Sequence, residues 1–144
     1  MKASIKKSII INAPLNKIFD YIANPEHSPE WVVNLTGIEN ISPKIPSIGQ
    51  TWNWEYNMLG IKFRGRTIVT ELSPQRYVRQ TEGGIASTCA FTFKAENGGT
   101  RVDLEIEYIV PSSVFNKIAD KEAIERINEN AAEYALGNIK AILE

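Results

Sequence analysis

Very few residues in this chain have the chemistry for catalysis or metal binding. There is one histidine, His27, and one cysteine, Cys89. His27 sits in the turn Pro25-Glu26-His27-Ser28-Pro29-Glu30-Trp31, where a histidine is either a solvated loop residue or stands at the entrance to a site. Cys89 has no second histidine with which to build a Cys–His pair, and it reads as a small buried hydrophobe on a strand. A lone cysteine excludes an internal disulfide and a cysteine-built metal site. The usual zinc spacings and a carboxylate calcium loop are both missing, so neither a metal nor a cofactor is expected. Gly83-Gly84 and Gly98-Gly99 read as hairpin turns, not as phosphate-cradling loops. The sequence singles out no general acid/base pair and therefore no catalytic residue.

The remaining candidates are charged and aromatic side chains on strands. Arg64 and Arg66 share one face of an extended segment, and Phe63, Gly65, Thr67 and Val69 share the other. The arginines are assigned outward, because an unpaired buried charge is costly. If the irregularity suggested by Gly65 lies elsewhere, the faces exchange. An arginine would then enter the interior and could clamp a carboxylate or phosphate bidentately. Arg79 and Glu82 are further candidates, whereas Glu105 and Glu107 oppose an apolar row and are placed outside. Trp52, Trp54, Tyr56 and Met58 alternate with Asn53, Glu55 and Asn57, which gives one apolar face and one wet face. Trp31 is placed above that face.

The elements that must carry these residues follow from periodicity. Residues 8–12 are β-branched and read as a first strand. Pro14 opens a helix in which Leu15, Ile18, Phe19 and Ile22 recur at helical spacing, and Asn24-Pro25 stops it. From Leu35 to Val110 the period is two. Strands are expected over 52–58, 61–72 with a bulge at Gly65, 76–82, 88–94 and 102–110. After Pro111-Ser112-Ser113, residues 114–143 contain no proline and read as one long helix. Spacing of 3.6 puts Ala123, Ile124, Ile127, Ala131, Tyr134, Ala135, Asn138 and Ile142 on its apolar stripe. Strands in series with segregated helices mean an α+β fold. The long helix must bury its stripe in the concave face of a curved antiparallel sheet.

This order, together with its local strings, resembles the START-like (SRPBCC) superfamily, polyketide cyclase/dehydrase group. The strings include Ile11-Asn12-Ala13-Pro14 before Lys17-Ile18-Phe19-Asp20-Tyr21-Ile22-Ala23, and Asn24-Pro25 before Trp31. They also include Ile48-Gly49-Gln50-Thr51, Glu71-Leu72-Ser73-Pro74-Gln75-Arg76, Gly98-Gly99-Thr100-Arg101-Val102 and the terminal Leu136-Gly137-Asn138-Ile139-Lys140-Ala141-Ile142-Leu143-Glu144. The resemblance covers nearly the whole chain. It implies a single helix-grip domain over 1–144, with a curved antiparallel sheet wrapped around a long C-terminal helix and a cavity between the two. The fold hosts carriers, cyclases and partner-binding modules, so function has to come from the site.

Three sequence features bear on a cavity. The helix stripe carries small residues at Ala123, Ala131 and Ala135, which leave room unless bulky sheet residues fill it. The aromatics suit the wall of a small-molecule site, although large rings also simply fill cores. Asn116, Asp120 and Asn138 project onto the stripe, either at a cavity mouth or in solvent past the sheet edge. The expected ligand-binding residues are Trp31, Trp52, Trp54, Tyr56, Met58, Phe63, Phe91, Ile106, Tyr108, Ile127, Ala131 and Tyr134.

The leading expectation is a module that binds or carries a hydrophobic or amphipathic small molecule, a lipid or an aromatic metabolite. The alternatives are a cyclase or dehydratase acting through tyrosine hydroxyls, and a partner-binding module with a filled core. The 144 residues are 43% hydrophobic and 23% charged, with a formal net charge of −1. That balance is ordinary for one globular domain and offers no basic excess to hold nucleic acid. The apolar run Ile9-Ile10-Ile11 is too short for a signal-peptide core, and no stretch is long enough to span a bilayer. A cytoplasmic protein without integral membrane association is expected.

Overall fold

The structure, a computed structural model, describes residues 2–118 and 120–144. Seven antiparallel strands form one sheet: β1 Lys2–Ile11, β2 Leu35–Ser42, β3 Thr51–Met58, β4 Ile61–Ser73, β5 Arg76–Glu82, β6 Ala86–Glu96 and β7 Gly99–Ile109. Their spatial order is β1-β7-β6-β5-β4-β3-β2. The helices are α1 Leu15–Ala23, α2 Ser28–Trp31, α3 Ser112–Ile118 and α4 Lys121–Leu143, with a 3-10 turn over Pro25–His27. The architecture is the α+β helix grip, with α4 lying in the concave face of the sheet.

The first strand is longer than its sequence suggests. It starts at Lys2 and pairs along its whole length with β7, from Lys2 opposite Ile109 to Ile11 opposite Thr100. Its lysines obscure the alternation in sequence, but in the sheet Ile5 and Ile11 point inward while Lys2 and Lys6 are exposed. The hairpins expected from glycine are present. Gly83 (φ 84°) and Gly84 (φ 37°) turn β5 into β6, and Asn97 (φ 50°) with Gly98 (φ 80°) turns β6 into β7. A left-handed backbone is cheap for glycine and tolerated by asparagine.

The expected bulge at Gly65 is elsewhere. Gly65 pairs in register with Trp54, and the register of β4 against β5 shifts between Val69 and Glu71. Gly65 is required for another reason: a Cβ there would lie 2.3 Å from Cζ2 of Trp54 and 2.3 Å from the Glu82 carbonyl oxygen. Arg64 and Arg66 face outward as assigned, opposite the inward Phe63, Thr67 and Val69.

The expected single helix over 114–143 is two helices, and Ala119 lies outside the described residues. Asp120, in extended conformation (φ −135°), caps α4 by accepting from the Ala123 amide at 3.1 Å. The buried face of α4 is Ile124, Ala132, Ala135, Leu136, Ile139 and Leu143. This face is turned by about one residue, ~100° around the axis, from the expected stripe. Contacts at both edges of the helix hold that rotation. Lys7 Nζ pairs with Glu133 at 3.0 Å, and Lys140 Nζ donates to the Ile10 carbonyl at 2.8 Å. Glu144 accepts from the Asn12 amide at 2.9 Å and pairs with Lys140.

Candidate functional site

A cavity of about 220 Å³ lies between α4 and the concave face of the sheet. Strand alternation supplies most of its wall. On β3, Trp52, Trp54 and Tyr56 face inward, and on β6 and β7 Phe91, Leu104, Ile106 and Tyr108 do the same. The roof is the small-residue part of α4, Ala131, Ala132 and Ala135, where the absence of long side chains leaves the space open. α2 closes one side with Ser28 and Trp31, and the half-buried Val32, Val33 and Ile85 form part of the rim.

One charged residue lines the cavity. Arg79, on β5, faces inward between Tyr77 and Thr81. It pairs with Val69, whose side chain is fully buried, at the last position before the register shift in β4. Its guanidinium carbon lies 5.1 Å from the centroid of the Trp31 ring and 5.8 Å from that of Trp52. Such cation–π contacts offset part of the cost of desolvating the cation. Arg79 forms no ion pair with a carboxylate among the described residues.

The polar atoms of the lining are rich in unused donors. Trp31 Nε1, Trp54 Nε1 and Ser28 Oγ are buried and make no hydrogen bond, and Tyr108 Oη and Asn128 Nδ2 find no partner beyond each other. An unmet buried polar group costs about 1–3 kcal/mol, so their concentration at one place is unusual for a packed core. Burial raises the Tyr108 hydroxyl above its ordinary range, with the Asn128 amide opposing the shift. Burial likewise raises Tyr56, Tyr77 and the Cys89 thiol, and the guanidinium of Arg79 pulls the last two partly back. Among the described residues the lining contains no aspartate, glutamate, histidine or lysine. Among the described residues no cluster of three His, Cys, Asp or Glu side chains could hold a metal.

A model of the family described as "Polyketide cyclase / dehydrase and lipid transport" matches residues 2–144. The chain belongs to this family. Solved structures with the same fold include TTHA0849 from Thermus thermophilus, at 16% identity, TM-score 0.82, and coverage of 96% of this chain and 95% of that one. The di-domain ARO/CYC StfQ from the steffimycin biosynthetic pathway aligns at 12% identity and TM-score 0.80, over 99% of this chain and 51% of that one. Major latex-like protein 151 from Panax ginseng aligns at 12% identity and TM-score 0.71, over 99% and 97%. No curated protein matches the chain in sequence.

In this polyketide cyclase/dehydrase-family chain, eight of the twelve residues expected at a site from sequence line the cavity. They are Trp31, Trp52, Trp54 and Tyr56, together with Phe91, Ile106, Tyr108 and Ala131. The other four lie elsewhere. Met58 and Phe63 are buried near the β3–β4 turn, beyond the end of the cavity. Ile127 and Tyr134 belong to the expected helix stripe, and the rotation of α4 turns them away, Tyr134 to 64% exposure. Among the lining residues outside the set expected from sequence are two with polar reach into the cavity, Arg79 and Asn128. Strand 76–82 is polar on both faces, so its alternation does not say which side Arg79 takes. Asn116 is exposed, Asp120 is the helix cap, and Asn138 donates to the Trp31 carbonyl at 3.4 Å, tying α4 to α2.

His27 is outside the cavity lining. It stacks on Tyr21 at 4.6 Å, and its Nδ1 lies 3.4 Å from Glu30. Tyr21 donates to the same carboxylate at 2.8 Å. The cluster braces α2, which carries Ser28 and Trp31 into the wall. Burial, reinforced by Glu30, raises the Tyr21 hydroxyl well above its ordinary range.

Proposed function

We propose that this protein binds or carries a small, largely apolar molecule in the cavity beneath α4. The observation that carries this reading is the pairing of an aromatic wall with buried, unsatisfied donors. A packed core would satisfy or exclude such groups, whereas a ligand with an apolar body and a polar end would satisfy them. The volume is slightly below the usual range for ligand pockets, about 300–1,000 Å³, which favours a compact ligand over an extended polycyclic one. A partner-binding module with a filled core fits less well, because the space under α4 is open. Among the described residues no helix is long and apolar enough to cross a membrane.

A second reading, a cyclase or dehydratase of the kind that the StfQ likeness suggests, rests on Tyr56, Tyr108 and Arg79 facing one cavity. Tyrosine hydroxyls can steer a folded poly-β-keto chain, and a guanidinium can polarise a carbonyl. The lining offers no carboxylate or imidazole as a base.

Native mass spectrometry of freshly purified protein, followed by denaturing extraction, tests the binding reading. A discrete added mass that is lost on denaturation is expected. If the protein is free of ligand and apolar probes fail to quench tryptophan fluorescence, the reading is wrong. Turnover of a poly-β-keto substrate that disappears in Tyr56→Phe or Tyr108→Phe would establish the second reading.

A further inference from the structure

We propose that the ligand of this cavity is a monoanion, a compact apolar carboxylic acid held through its carboxylate by Arg79. The inference rests on the cavity-binding reading and specifies its chemistry. A half-buried guanidinium without a carboxylate partner is an incomplete arrangement, since burying a charge is costly unless it is paired and hydrogen-bonded. The Trp31 and Trp52 rings provide cation–π attraction but cannot accept the in-plane N–H bonds of the guanidinium fork, and the neutral Tyr77 hydroxyl and Cys89 thiol beside it bring no counter-charge. A planar carboxylate accepts those bonds bidentately and supplies the missing charge.

The neutral part of the lining favours the same group. Indole N–H groups only donate, and two of them, Trp31 Nε1 and Trp54 Nε1, lack acceptors. Tyr108 Oη, Ser28 Oγ and Asn128 Nδ2 can donate as well. A ligand end that only accepts hydrogen bonds, as an ionised carboxylate does, therefore satisfies more of this wall than an alcohol or an amine. Charge balance separates a carboxylate from a phosphate monoester. Arg79 is the sole cation in the lining among the described residues, so a dianion would leave surplus negative charge in an apolar cavity.

The test uses three probes with one ring system: 2-naphthoate, neutral 2-naphthalenemethanol and 2-naphthyl phosphate. Binding to the full chain is followed by tryptophan fluorescence quenching and calorimetry. Wild type is expected to bind the naphthoate at least about tenfold more tightly than the alcohol, and more tightly than the phosphate. Arg79→Leu should abolish the preference for the acid, the ratio of acid to alcohol affinity falling to about one. Arg79→Gln serves the same purpose if the leucine variant fails to fold by circular dichroism. Equal binding of acid and alcohol by wild type, or a preference that survives removal of the guanidinium, overturns the proposal and leaves the cavity reading standing. Tighter binding of the phosphate overturns the monoanion. If neither naphthoate nor alcohol binds, the cavity reading falls and this inference falls with it.

Discussion

Trp54 lies so close to Gly65 that a β-carbon on the glycine would come within 2.3 Å of the indole Cζ2. The ring occupies the space where a side chain on β4 would stand, and this holds Trp54 in the cavity wall. Gly65→Ala should therefore cost about 1–3 kcal/mol, the usual range for overpacking. Its tryptophan emission should shift as well. Urea denaturation measures the first effect and fluorescence the second. An unchanged midpoint would show that the strand relaxes freely at this position.

Ala131 is a roof residue chosen by size. Ala131→Trp should fill the cavity, lowering affinity for a naphthalene probe by more than tenfold while leaving a cooperative unfolding transition. Titration of the folded variant decides the matter. Wild-type affinity in a folded Ala131→Trp protein would count against this cavity as the binding site.

Tyr108 is buried, and its hydroxyl finds no partner beyond the Asn128 amide. Removing a poorly satisfied buried hydroxyl relieves part of a desolvation cost of about 1–3 kcal/mol, so Tyr108→Phe should leave the free protein as stable as wild type or more stable. It should weaken binding of an acceptor-bearing ligand at the same time. A substantial fall in unfolding midpoint without ligand would show that the hydroxyl is satisfied in solution.

Asp120 accepts from the Ala123 amide at the start of α4. Asp120→Ala should lower stability by about 1 kcal/mol, the usual cost of losing a helix cap. Asp120→Asn should recover most of that loss. Thermal melts of both variants read the difference, and equal melting temperatures for Asp120→Ala and wild type would remove the cap from the account.

Tyr56, Tyr77 and Tyr108 have hydroxyls raised by burial above the ordinary value of 10.0, and Tyr21 is raised by burial and by Glu30. A group whose pKa is raised by folding stabilises the native state fully below its unfolded pKa and progressively less above it. Stability should therefore fall as pH rises past 10, because unfolded tyrosines ionise before folded ones. Urea midpoints taken across about pH 8–11 should decline less steeply in Tyr77→Phe than in wild type. Identical slopes would mean that Tyr77 contributes nothing to the alkaline loss.

The sequence by itself determined the element types and the inward rows of β3, β6 and β7. Trp52, Trp54 and Tyr56 alternate with polar residues so regularly that only one face could be buried, and Phe91, Ile106 and Tyr108 follow the same rule. Two decisions were left to the tertiary structure. Helix α4 carries apolar residues on two adjacent stripes, Ile127, Tyr134 and Ile142 on one and Leu136, Ile139 and Leu143 on the other. Periodicity cannot rank two such stripes. Docking against the sheet, with Lys7 on Glu133 and Lys140 on the Ile10 carbonyl, selects the second. Strand β5 is polar on both faces, so its alternation says nothing about Arg79. Pairing with the inward Val69 on β4 and the rings of Trp31 and Trp52 bring that guanidinium inside. Alternation along a chain is local and can be read from sequence, whereas the phase of a helix on a sheet and the face of a strand with polar residues on both sides depend on partners distant in sequence.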